Sequence, residues 1–76
     1  MTKEDRRLLV SQAAKLAMLG MTVEKERSNL KKLVERGVPY TDLKMLLAYE
    51  RFKQVDDEWK RLEAEHLRLR ERLGIT

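Results

Sequence analysis

The pair of residues with the clearest potential for chemistry is Glu63 and His66, which stand three positions apart. On a helix this spacing places a carboxylate and an imidazole on one face, as in di-iron helical bundles. Such a centre needs the motif twice, together with two further inward-facing glutamates, and the chain has a single histidine. We therefore predict no metal site. We interpret His66 as a polar residue in a helix interface, where it would influence register or partner choice.

Other catalytic arrangements are missing as well. Ser11 and Ser28 have no second histidine with which to form a relay, and there is no glycine-rich phosphate loop or zinc motif. The three consecutive acids Asp56, Asp57 and Glu58 would point about 100° apart on a helix, so they cannot jointly hold one metal ion. The sequence thus predicts a protein that is not an enzyme, with no cofactor and no small-molecule substrate.

Composition favours exposed helices. The chain has 76 residues, of which 39% are charged and 5% aromatic, and it has no cysteine. The lack of cysteine fits a reducing compartment, so we expect a cytoplasmic protein. The longest apolar run, residues 16–21, is far too short for a membrane span of roughly 20 residues. A core of this size is marginal, and therefore a partner is expected.

The strongest pattern lies in the second half, where one helix is predicted over residues 42–73. Thr41 is the expected N-cap, and Tyr40 and Met45 are spaced to form a hydrophobic staple. Apolar residues then recur at spacings of three and four over four heptads, which is typical of a helix that packs along one face. The members of this series that we predict to bind a partner are Phe52, Val55, Trp59, Leu62, His66, Leu69 and Leu73.

The first half, residues 1–40, is predicted to be a basic helical hairpin that folds as one unit with residues 41–76. Helix 1 would span residues 3–19, end at Gly20, and be followed by helix 2 over residues 23–36. Gly37 and Pro39 then stop helix 2. The expected fold is an all-α, coiled-coil-like unit of three helices. Helices 1 and 2 would converge on the additional leucines of the long helix, which are Leu43, Leu46 and Leu47.

The stretch from Leu19 to Thr22 resembles the turn of bacterial helix-turn-helix DNA-binding domains, in which a Leu-Gly-apolar-Ser/Thr segment joins the supporting and recognition helices. The resemblance covers part of residues 9–36. It implies that helix 2 enters the major groove. The sequence departs from the family pattern at Glu26, where a residue that packs on the first helix is needed. The basic residues that would contact nucleic acid are Lys25, Arg27, Lys31, Lys32 and Arg36.

Two functions follow from these patterns. The leading hypothesis is a small interaction or regulatory protein that binds itself, as a homodimer, or a larger protein through its long helix. The alternative is a dimeric DNA-binding regulator that uses its basic first half, where nine Lys and Arg residues stand against five Asp and Glu residues. Neither hypothesis involves a membrane.

Overall fold

The computed structural model describes residues 1–75 and contains two helices in that range. Helix α1 spans Lys3–Glu35 and helix α2 spans Leu43–Arg72. Trp59 meets Leu16 while Arg51 meets Glu26, so the two helices run antiparallel along one another. They form a rod of 52 × 17 × 15 Å. The all-α prediction is confirmed, whereas the prediction of three helices is wrong. Thr76, the end of the expected C-terminal segment, lies outside the described residues.

Helix α1 begins with a complete capping box. The Thr2 hydroxyl accepts a hydrogen bond from the Asp5 backbone N–H at 3.1 Å, and the Asp5 carboxylate accepts one from the Thr2 backbone N–H at 3.3 Å. This backbone bond, followed by the side-chain bond to Thr2, lowers the pKa of Asp5 below its ordinary value. The cap therefore stabilises the fold above the ordinary pKa of the carboxyl, and this contribution is lost as acid protonates Asp5.

The predicted break at Gly20 is wrong, because α1 passes through this residue without interruption. Residues 3–19 and 23–36 therefore do not form a hairpin of their own. Thr22 does not cap a new helix, since its hydroxyl donates to the Met18 carbonyl one turn earlier at 3.2 Å. A glycine inside a helix costs only about 1 kcal/mol relative to alanine. Packing along the whole of α2 outweighs that cost.

A heptad runs through α1 in phase across Gly20 and was not recognised in the sequence. Its positions are spaced alternately by four and three residues, as in α2, and a helix break would shift them out of phase. Polar residues at three of the nine positions obscured it. The series consists of Asp5, Leu9, Gln12, Leu16, Leu19, Val23, Glu26, Leu30 and Leu33.

The end of α1 agrees with the predicted stop at Gly37. This glycine has φ 76°, a left-handed conformation that disfavours other residues. The Gly37 backbone N–H donates to the Val34 carbonyl at 3.0 Å, and the Val38 N–H donates to the Leu33 carbonyl at 3.1 Å. These bonds satisfy the last carbonyls of the helix in a Schellman-type cap.

The start of α2 differs from the prediction by one residue. Asp42, not Thr41, is the N-cap, and its carboxylate accepts a hydrogen bond from the Lys44 backbone N–H at 2.8 Å. A carboxylate caps as well as a hydroxyl and also complements the positive end of the helix dipole. The staple of Tyr40 and Met45 stays a prediction, since the two side chains line one cavity although Tyr40 is 76% exposed.

Two glycine substitutions distinguish a continuous α1 from a broken one. We expect Gly20→Ala to raise the free energy of unfolding by about 0.5–1 kcal/mol, because alanine favours the helix. A Cβ at this position would lie 3.5 Å from Trp59 Nε1, which is ordinary contact. The matched change Gly37→Ala should lower the free energy by about 1 kcal/mol, since φ is positive there. Urea unfolding followed by circular dichroism at one protein concentration measures both. Equal losses in the two variants would contradict a continuous helix.

Candidate protein-binding surface

The face shared by α1 and α2, called the hairpin interface below, is centred on Trp59. The indole Nε1–H donates to the Leu16 backbone carbonyl across the interface at 3.2 Å. Gly20 lies beside the indole, where a Cβ would make ordinary van der Waals contact with Nε1. A large, partly buried aromatic side chain with its polar atom satisfied is a strong packing contact. Trp59 therefore joins the two helices near the middle of the rod.

A polar pair crosses the same interface nearer to the chain ends. His66 Nδ1 lies 2.8 Å from Gln12 Oε1, and both side chains are partly buried. An amide oxygen only accepts hydrogen bonds, so Nδ1 carries the proton in this contact. The pair joins equivalent heptad levels of the two helices. It fits the prediction that His66 influences register, because a shifted alignment would leave both groups without a partner.

A third polar contact lies on the other side of Trp59, towards the turn. Arg51 Nε is 3.7 Å from Glu26 Oε2, and the Glu26 side chain is only 16% exposed. This oxygen has no hydrogen-bond partner among the described residues. The neighbouring Arg27 guanidinium stacks over the Phe52 ring at 5.7 Å from its centroid. Arg51 is therefore the cationic group that lies beside the acid at this apolar heptad position of α1.

The residues predicted to bind a partner lie on the side of α2 that faces α1. Leu69 is buried, and the other six are partly buried, so α1 covers much of this series in the single chain. Binding of another chain by these residues stays a prediction. The apolar surface that is exposed in the single chain lies elsewhere. The series comprises Phe52, Val55, Trp59, Leu62, His66, Leu69 and Leu73.

A group of large apolar side chains remains exposed where the turn joins the helices. Tyr40 and Leu43 are 76% and 68% exposed, and several neighbours are about half exposed. Part of the group lines a shallow cavity of about 240 Å³ with no charged residue in its wall. Contiguous exposed apolar surface of this kind marks interaction sites. We call it the closed-end surface. Its members are Val34, Tyr40, Leu43, Leu46, Leu47 and Tyr49.

The sequence contained the signal for this surface, but its interpretation depended on a third helix. Leu43, Leu46 and Leu47 were expected to be covered by converging helices 1 and 2. With only α1 to pack against, α2 buries Met45 and Ala48 and leaves these three leucines exposed. The spacing of Leu43, Leu46 and Leu47 places them together on the outer side of the first two turns of α2.

The five basic residues predicted to contact nucleic acid are all exposed on α1 and just after its end. Two of them are engaged within the chain. Arg27 pairs with Glu24 at 2.6 Å, and Lys31 approaches Glu35 at 3.9 Å. The other three are Lys25, Lys32 and Arg36, which form no ion pair within the described part of the chain. Their spacings of seven and four residues place these three on one side of α1.

Within residues 1–75, no three metal-binding side chains come together, and His66 faces Gln12 in the hairpin interface. Neither described helix has an apolar stretch long enough to cross a membrane. The continuous α1 also removes the turn on which the helix-turn-helix resemblance rested.

No protein-family model matches the chain, and no curated protein or solved structure is significantly similar to it.

A double-mutant cycle measures the polar contact across the interface. We expect Gln12→Leu and His66→Leu each to lower the free energy of unfolding by about 1 kcal/mol, because each leaves a partly buried polar group unpaired. The double variant should recover most of that loss, giving a coupling energy close to about 2 kcal/mol from urea unfolding. Gln54→Leu, on the exposed side of α2, is the control and should change stability by less than about 0.5 kcal/mol. Additive single effects would mean that the two side chains do not interact.

Proposed function

We propose that this chain is a small, non-catalytic interaction protein, with a regulatory role in the cytoplasm, that acts by occupying an apolar surface of a protein partner. The closed-end surface on α2 and the turn is its binding surface. The single observation that carries this proposal is the exposure of Leu43, Leu46 and Leu47 on a helix that has an apolar interface elsewhere. The solvent-facing side of an amphipathic helix normally carries polar and charged residues and not leucines.

The composition of the closed-end surface supports binding to a protein. It combines leucines with Tyr40 and Tyr49, and tyrosine is enriched among residues that dominate binding energy. It is presented by the first two turns of α2, whose backbone is fixed by the Asp42 cap and by burial of Met45 and Ala48. A rigid helical platform loses little entropy when it binds.

Site-specific photo-crosslinking in the native host tests the proposed function. A photoreactive amino acid in place of Leu47 should give a discrete covalent adduct, because this residue lies within the closed-end surface. The matched control is Asp57, an exposed residue on the same helix outside that surface, and it should give little adduct. Adding Leu43→Glu to the Leu47 probe should reduce the adduct at least about tenfold, as expected for loss of an apolar anchor.

The mass and identity of the adduct then name the partner, whether a foreign protein or a second copy. Circular dichroism of each variant shows whether the helices are retained. Equal adduct yields from positions 47 and 57, in variants that keep their helices, would overturn the proposed function.

A second candidate function is binding of nucleic acid through the exposed basic side of α1. The observation that favours it is the alignment of Lys25, Lys32 and Arg36 with no ion pair in the described chain. Without a helix-turn-helix, these residues would contact phosphates and not read a base sequence. The expected behaviour is weak binding without sequence preference.

The dependence on salt tests this candidate. If all three side chains contact phosphates of duplex DNA, the logarithm of the binding constant should fall with the logarithm of salt concentration at a slope near −2.7. Fluorescence anisotropy with a labelled duplex measures this slope, and Lys25→Ala with Lys32→Ala should bring it close to −0.9. The control Lys60→Ala removes a lysine that is paired with Asp56 on α2 and should leave the slope unchanged. Failure to bind at low salt would exclude this function.

A further inference from the structure

The accessible surface of the chain is larger than that of a typical compact monomer of its mass. The chain exposes 6115 Å² at a mass of 9.0 kDa. A folded monomer of this mass typically exposes about 4,900 Å², so the excess is about 1,200 Å². A standard protein interface buries roughly 800 Å² on each partner. The excess is therefore of the size that one further interface would remove.

The elongated shape of the chain and its large accessible surface have one cause, which is that the chain has only two helices in its described residues. Its radius of gyration is 16.6 Å, whereas a compact domain of this length has a radius near 11 Å. Two helices give each other only one covered side. Only Val23, Met45, Ala48 and Leu69 are almost completely buried among residues 1–75. Side-by-side packing with two more helices would convert the hairpin into a four-helix bundle with a second apolar layer.

The exposed apolar residues are placed suitably for such packing. Val34 on α1 and Leu46 and Tyr49 on α2 line one cavity, so both helices contribute to the same side of the rod. Each is about half exposed. A two-fold axis along the rod would set the closed end of one hairpin beside the closed end of the other, so that these residues meet their own copies. Two-fold interfaces of this kind pair one patch with itself.

The charges beside Val34 do not oppose the approach of a second copy. On α1, Lys31 approaches Glu35 at 3.9 Å, so an ion pair with no net charge lies next to this residue. A rim that carries both signs does not repel its own copy, in contrast to a patch of one sign.

We propose that the partner of the closed-end surface is a second copy of this chain, and that two hairpins pack side by side with their closed ends together. This proposal rests on the proposed function, because it names the occupant of the same surface. Val34, Leu46 and Tyr49 form the centre of the interface. The resulting dimer is a bundle of four helices.

Sedimentation equilibrium of the purified chain over a wide concentration range tests this proposal. A reversible dimer is expected. Leu46→Glu with Tyr49→Glu should raise its dissociation constant by at least about 30-fold, since these residues are proposed anchors. Leu46→Ala with Tyr49→Ala serves as a second variant that adds no charge and should also weaken the dimer. Gln54→Glu, on the exposed side of α2, adds a similar negative charge and should leave the dissociation constant unchanged.

Single cysteines determine the relative orientation, because the natural sequence has none. Thr41→Cys near the turn and Ala13→Cys towards the chain ends should each form a disulfide with its own copy if the closed ends lie together, because Ala13 is three heptads from Val34 and lies on the same side of α1. Hairpins packed in opposite directions would crosslink only in a mixture of the two variants. Contact through the tips alone would crosslink Thr41→Cys and not Ala13→Cys. Either of these patterns would overturn the side-by-side arrangement.

The outcomes separate this proposal from the function on which it rests. A monomer at every concentration, together with a foreign adduct from Leu47, would overturn self-association and leave the interaction function supported. A monomer with no adduct would overturn both. A dimer that survives Leu46→Glu with Tyr49→Glu and both alanine substitutions would show that another surface mediates association, and would also overturn the proposal.

Discussion

The structure depends on the fact that two helices can cover only one side of each other. The heptad positions of each helix face the hairpin interface, which runs along nearly the whole rod. Since there is no second layer, even the best-packed residues form a line and not a three-dimensional core. Specific contacts along this line therefore carry more of the fold than they would in a larger domain.

Three polar contacts along that line fix the alignment of the two helices. The Trp59 indole bonds to the α1 backbone, Gln12 meets His66 towards the chain ends, and Glu26 meets Arg51 towards the turn. Contacts between leucines allow the helices to shift by one heptad, because successive heptads then make equivalent contacts. Polar groups that need a particular partner do not tolerate such a shift, so they select one alignment at some cost in stability.

The helical class, the long second helix and the stop at Gly37 could be predicted from the sequence because each rests on local chemistry. Pro39 and a positive φ at Gly37 act on the backbone wherever the chain goes. The continuity of α1 could not be predicted in the same way. Gly20 is a weak local signal in either direction, and what decides it is packing along α2, including the Trp59 side chain, 39 positions away in the sequence.

The same reasoning explains why the exposed surface of the structure differs from the residues that the sequence predicts to bind a partner. Heptad residues such as Leu62 are natural binding residues when the long helix is considered alone, but an unbroken α1 reaches far enough to cover them. The exposed leucines at the start of α2 were then left uncovered by the same helix. Whether α1 continues through Gly20 therefore determines which residues are covered within the chain and which are exposed to a partner.

The single tight turn between two long helices also fixes where the ends of the chain emerge. Residues Lys3 and Arg72 begin and end the helices at the same extremity of a rod 52 Å long, and the closed-end surface occupies the opposite extremity. Anything attached to either terminus is therefore held at a distance from that surface. Both ends of the helices are therefore placed where a group joined to them would leave the closed-end surface accessible.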